Sequence, residues 1–182
     1  MIKTSSEISV GYGLKPMLMA CVLLLIAACD RGPQEIRIGQ QECDHCRMMI
    51  SQEQFAAQLI TQQGRQYAFD AIECMAAFVD SGDGTELDIH SLWVPDFLNP
   101  GSWLEAESAW YLQSDGLRSP MALNFSAYID EDMARAQQSE FGGRVVRWQE
   151  VRDLVRESWS GGTYGHSHSN GTNHVHTHSY HH

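Results

Sequence analysis

The chain has 182 residues, five Cys, eight Met, nine His and a formal net charge of −11. That length holds one domain or two small ones with a real core, and 43% apolar residues with five Trp exclude a wholly disordered chain. The acidic balance argues against nucleic acid as a partner, because phosphate recognition needs a Lys/Arg footprint.

Residues 1–28 read as a lipoprotein signal peptide. Met17 to Ala28 is twelve residues without a charge, behind Lys3 and Lys15. A membrane span needs about 20 such residues, so the run fits the apolar region of a secretory signal. Ile26-Ala27-Ala28-Cys29 has the form of a bacterial lipobox, in which a small residue precedes the Cys that is lipidated. Cys29 is the expected anchor, and the membrane is an expected partner through it. An ordinary signal cut nearby is the alternative. The expected location is the periplasmic side of a bacterial membrane, with Asp30 favouring the inner one. Loss of Lys3, Lys15 and Glu7 leaves 10 basic and 22 acidic residues, a mature charge of −12. Outside the cytoplasm a thiol is kept only if protected, metal-bound or in redox use.

Residues 29–38 read as a tether and 39–160 as the folded domain. Phe55 to Thr61, a turn at Gln62-Gln63-Gly64-Arg65, and Gln66 to Phe69 form an expected hairpin. Asp70 is an expected N-cap, since its carboxylate can take an otherwise unpaired amide. Ile72, Met75, Ala76 and Val79 then share one helical face. Ser81-Gly82-Asp83-Gly84 stops that helix, and Leu87, Ile89, Leu92 and Val94 spell a strand broken at Pro95. The order repeats. Trp110 to Gln113, a loop over 114–120, and Ala122 to Ile129 predict a second hairpin. Asp130 is a second cap, Glu131 to Glu140 a polar helix ended by Phe141-Gly142-Gly143, and Val145 to Trp148 a strand. Glu150 to Trp159 predicts a last amphipathic helix. This predicts an α+β domain of two ββαβ halves, near 39–98 and 99–160.

The densest chemical signal is Cys43-Asp44-His45-Cys46-Arg47-Met48-Met49. Thiolate and thioether are soft ligands, and such ligands select Cu(I). In an extended segment Cys46 and Met48 face one side, and Met49 faces the other into core. Met121, on a loop or strand edge after Ser119-Pro120, is a candidate third sulfur. Three other readings of the Cys-x-x-Cys stay open: a zinc knuckle, a thiol–disulfide redox pair and a structural disulfide. Cys74 reads as a core thiol on an apolar helix. His45 reads as an exposed bystander or accessory ligand, and His90 as structural.

From residue 161 to 182 the composition turns to Gly, Ser, Thr, Asn and His. Such a segment buries too little apolar surface to offset ordering and is expected to be disordered. His166, His168, His174, His176 and His178 form His-x-His pairs suited to copper, zinc or nickel, an accessory metal tract. A cloning remnant is the alternative.

Together these features resemble the NosL family, accessory copper lipoproteins of nitrous oxide reductase. The resemblance rests on the lipobox at Cys29, Cys43-x-x-Cys46-x-Met48, Phe69-Asp70-Ala71-Ile72-Glu73-Cys74-Met75, the stretch 99–112 and Ser119-Pro120-Met121. It implies two related ββαβ units similar to the N-terminal unit order of organomercurial lyase-like proteins. It also implies a periplasm-facing, non-enzymatic chaperone that binds one Cu(I) and supplies nitrous oxide reductase or its assembly machinery. Its ligands would fall on Cys46, Met48 and Met121, with Cys43 less defined. The His-rich tail lies outside the family pattern. Two other functions share the same residues: a thiol–disulfide or organomercurial-type enzyme using Cys43 and Cys46, and a storage protein dominated by the tail.

Overall fold

The computed structural model describes residues 32–160. The expected signal peptide, the expected anchor at Cys29 and the His-rich tail lie outside the described residues. Among the described residues, no helix is long and apolar enough to cross a membrane.

The first hairpin pairs β1 (Ala57–Thr61) with β2 (Gln66–Phe69), antiparallel, with Ala57 opposite Phe69. Gly64 closes its turn at φ 82°, which a residue with a Cβ adopts only under strain. Helix α1 (Ile72–Val79) follows, and the expected stop after it forms a one-turn helix, α2 (Gly82–Thr85). Strand β3 (Ile89–Pro95) returns beside β1, giving the order β2-β1-β3. The second half repeats this path. Strands β5 (Trp110–Gln113) and β6 (Phe125–Tyr128) form a hairpin, α3 (Glu131–Phe141) crosses over, and β7 (Arg144–Arg147) returns beside β5. Its order, β6-β5-β7, matches the first. The ββαβ repeat expected from the sequence is therefore a repeat of topology.

Three details depart from expectation. Strand β4 (Trp103–Glu105), unpredicted, lies beyond residue 98 yet pairs with β3 at the edge of the first sheet. Strand β6 starts at Phe125 rather than Ala122 because Ala122 and Asn124 are left-handed, at φ 64° and 61°. Asp70 does not cap α1. The cap position is Ala71, with no side-chain bond, and the Asp70 carboxylate instead accepts from the Ser51 amide at 2.8 Å. Asp130 does cap α3, accepting from the Met133 amide at 2.8 Å.

The two halves share one core. Leu59, Phe69, Ile72 and Met75 of the first pack with Tyr111, Phe125, Val146 and Val151 of the second. Each fully buried side chain of this kind stabilises by about 1.5–3 kcal/mol. A backbone bond from the Phe97 amide to the Ala127 carbonyl, 2.9 Å, joins the two sheets directly. The last helix, α4 (Trp148–Ser160), lies along α1, pinned where Arg152 and Arg156 meet Asp80. This leaves α1 covered on most sides, and six of its eight residues are buried.

Candidate metal centre

Cys43 and Cys46 stand in a tight loop, not in an extended segment. The Cys43 amide donates to the Met48 carbonyl at 2.8 Å, and the Arg47 amide to the Cys43 carbonyl at 3.0 Å. Arg47 is left-handed at φ 64°. Strand alternation therefore does not govern the sulfurs. Neither Met48 nor Met49 is core: they are 47% and 46% exposed, side by side at the loop's end. This overturns the expectation that Met49 faces inward. Asp44 docks the loop on β2. Its amide donates to the Ala68 carbonyl at 2.8 Å, and its carboxylate accepts from the Ala68 amide at 2.7 Å.

The docking carries the loop to the start of α1, where Cys74 occupies the first turn. The Sγ atoms of Cys43, Cys46 and Cys74 all lie within 4.8 Å of one another. All three are free thiols, Cys43 and Cys74 buried and Cys46 half-buried. Cys74 is thus more than a core residue. Among the described residues these three are the only group of His, Cys, Asp and Glu gathered tightly enough to hold an ion.

The electrostatics single out one thiolate. The hydrogen bond from the Cys74 thiol draws Cys43 down to about 5, against burial, with help from the backbone amides of Cys46, Asp70 and His45. The Cys46 amide lies 3.5 Å from the Cys43 sulfur. The Cys74 thiol is pushed far above the ordinary range by its bond to Cys43, then by burial and by the Cys43 charge. Cys46 is raised chiefly by burial and, against the Met48 amide, by Cys43. A buried soft anion flanked by two thiols results.

The other candidates divide. Met121 is half-buried and packs against the core that contains Cys43 and Cys74. Its loop is tied to α1, because the Ser119 hydroxyl donates to the carboxyl of Glu73, the residue before Cys74. Asn124 closes the same loop, exchanging bonds of 3.1 and 3.0 Å with Ser119. Glu73 is fully buried, with one carboxyl oxygen left without a hydrogen bond. Burial raises its proton affinity, opposed by Ser119 and nearby backbone amides. His45 is outside the sulfur cluster; its ring stacks on Trp159, centroids 5.8 Å apart. His90 is exposed on β3. Sequence reading placed Cys74 in the core and missed its meeting with Cys43 and Cys46. The available signal was its place in the first turn of a helix right after a hairpin, where backbone amides converge.

The class of protein is therefore an α+β fold of two like halves with three free thiols, where a docked loop meets a helix start, that lie close enough together to hold a metal ion. The NosL family model matches residues 35–155, and the chain belongs to that family. The fold is similar to that in the crystal structure of the copper chaperone NosL from Shewanella denitrificans. The TM-score is 0.58 at 19% identity, covering 66% of this chain and 95% of that one. No curated protein matches the sequence.

Proposed function

We propose that the protein is a copper chaperone that takes Cu(I) into the Cys43–Cys46–Cys74 centre and hands it on. The observation that carries this reading is the meeting of three unlinked sulfurs within 4.8 Å. Soft sulfur ligands favour Cu(I) over the harder ions, and a preformed thiolate meets the requirement that the ligand be deprotonated. Family membership and the fold shared with the Shewanella denitrificans copper chaperone support it. Met48, exposed beside Cys46, and Met121, on the loop tied to Glu73, are the thioethers that would complete or relay the site. The protein acts by binding and ligand exchange rather than turnover. Its acceptors are the copper centres of nitrous oxide reductase or the machinery that assembles them. Lipidation at Cys29 would hold it on the periplasmic side of a membrane.

The test is Cu(I) titration in competition with bicinchoninate. The parent chain should hold one Cu(I) tightly at the thiol centre, and Cys46→Ser with Met48→Ala should weaken it by about two orders of magnitude, roughly 2.7 kcal/mol. Equal affinity in the double variant would sink the assignment. Turnover of insulin disulfides or of an organomercurial by the metal-free chain would favour the enzyme reading instead.

A further inference from the structure

Glu73 stands beside the thiol centre without belonging to it. It precedes Cys74 in the first turn of α1, and successive side chains leave a helix about 100° apart, so the carboxyl and the Cys74 thiol take different directions. The Glu73 side chain is fully buried. Its Oε1 accepts from the Ser119 hydroxyl at 2.5 Å, across 46 positions of chain, and its Oε2 accepts no hydrogen bond. A buried carboxyl costs free energy unless its oxygens are paired, and an apolar side chain would fill such a place at less cost. What Glu73 adds beyond filling space is its hold on the loop after β5.

That loop is built around the same hydroxyl. Ser119 Oγ accepts from the Asn124 amide at 3.0 Å, and the Asn124 side-chain oxygen accepts from the Ser119 amide at 3.1 Å. Inside this ring the Ala122 amide donates to the Ser119 carbonyl at 3.1 Å. Pro120 has a fixed φ, and Ala122 and Asn124 are left-handed at 64° and 61°, which carries a steric cost for a residue with a Cβ. The bonds at Ser119 impose that shape. Met121 sits within the closed turn, half-buried against the core that contains Cys43 and Cys74. A single side-chain bond thus joins the residue before Cys74 to the loop that carries Met121.

We propose that Glu73 is a positioning residue for copper: through Ser119 it fixes the loop so that the Met121 thioether is held ready for an ion on the Cys43–Cys46–Cys74 sulfurs. This rests on the reading of the cysteines as a Cu(I) centre. The carboxyl itself is no ligand for Cu(I), because carboxylate oxygen suits harder ions and the soft ion takes sulfur. Its effect is on order. A thioether on a free loop gives up part of its binding to the entropy of fixing that loop, whereas one on a loop already latched does not. A group that orients a ligand without touching the metal changes affinity by about 10- to 100-fold when it is removed. Met121 is in this way the fixed thioether, and Met48, 47% exposed, the open one.

The test is a double-variant cycle in the full chain, read by Cu(I) titration against bicinchoninate. Met121→Leu should weaken Cu(I) binding about tenfold, and Glu73→Leu, which fills the space without an acceptor, should weaken it by a similar factor. The two together should be no weaker than either alone, because both remove the same thioether. Glu73→Gln, which keeps an oxygen for the Ser119 hydroxyl, should bind like the parent. Ser119→Ala, which keeps the carboxyl and removes its donor, should repeat the loss, and Ser119→Thr should restore the affinity. The Ser119 pair carries the test if Glu73→Leu does not fold. Losses that multiply in the double variant overturn the latch, as does a loss in Glu73→Gln equal to that in Glu73→Leu. Parent affinity in Met121→Leu, in folded Glu73→Leu or in Ser119→Ala overturns it as well and leaves the thiol centre standing. Tight Cu(I) surviving in a chain with Cys43→Ser, Cys46→Ser and Cys74→Ser overturns the thiol centre itself, and the latch with it.

Discussion

The two halves follow one path, strand, strand, helix and returning strand, yet only the first gathers sulfur. The contrast is sharpest in the short link between each hairpin and its helix. Asp130 spends its carboxylate on the first turn of α3, at the Met133 amide. Asp70, in the link before α1, accepts instead from the Ser51 amide and hydroxyl, at 2.8 and 3.3 Å. That bond ties the chain just beyond the thiol loop to the hairpin, and the start of α1 is left without a side-chain cap. The Asp70 backbone amide serves the Cys43 thiolate. The same path thus carries a cluster of three thiols in the half whose aspartate anchors a loop, and none in the half whose aspartate caps the helix.

The largest effect that would break this comparison lies at Cys74. If the centre needs all three sulfurs, Cys74→Ser should lower Cu(I) affinity by about 100-fold, roughly 2.7 kcal/mol in competition titration. A core thiol alone would lose stability and leave affinity unchanged. Next come the two aspartates. Asp70→Ala should cost about 1–3 kcal/mol in urea unfolding, because it strips a partner from the Ser51 amide, and should also weaken Cu(I) binding. Asp130→Ala should cost about 1 kcal/mol, a lost cap, with Cu(I) affinity untouched. Equal affinity losses from both would erase the distinction between the halves.

The smallest effect concerns the clamp of α4 on α1. Burial would raise the Asp80 carboxyl, but the bonds from Arg152 and Arg156 outweigh it and hold the group below the ordinary range. A carboxyl depressed in the folded state adds stability that is present above its unfolded pKa, near 4, and is lost as pH falls through its folded value. The pairs are partly exposed, which keeps the contribution within about 1 kcal/mol. Asp80→Asn should therefore lower the melting temperature slightly at pH 7. The gap from the parent should close as pH falls below about 4. A gap that is constant with pH would mean the clamp acts by shape alone.

Much of the fold is legible along the chain because its signals are local. The hairpin at 57–69 follows from two short runs on either side of a turn at Gly64, and α3 from a cap at Asp130 and glycines after Phe141. At Gly143 an added Cβ would lie 2.0 Å from the Gln113 carbonyl oxygen, so only glycine fits there. Strand β4 was hidden because three residues carry no period; only its pairing with β3 makes it a strand. Met48 and Met49 were misjudged as an alternating pair because the left-handed Arg47 turns the backbone, a conformation that residue type does not announce.

By itself the sequence determined the element order, the acidic charge, the Cys43/Cys46 pair and the concentration of His after residue 160, all properties of residue type and short-range spacing. Tertiary structure decided which sulfurs meet. Cys74 is 31 positions from Cys43, and its helical neighbours share the apolar pattern of a buried face, so no periodicity separates a core thiol from a site thiol. The separation comes from Asp44 docking the loop on β2 and Asp70 holding Ser51, two long-range bonds made by residues that in sequence read as part of an extended segment and as a cap. A hydrogen-bonding side chain has several partners within reach, and the folded geometry, through the cost of burying one unpaired, selects among them.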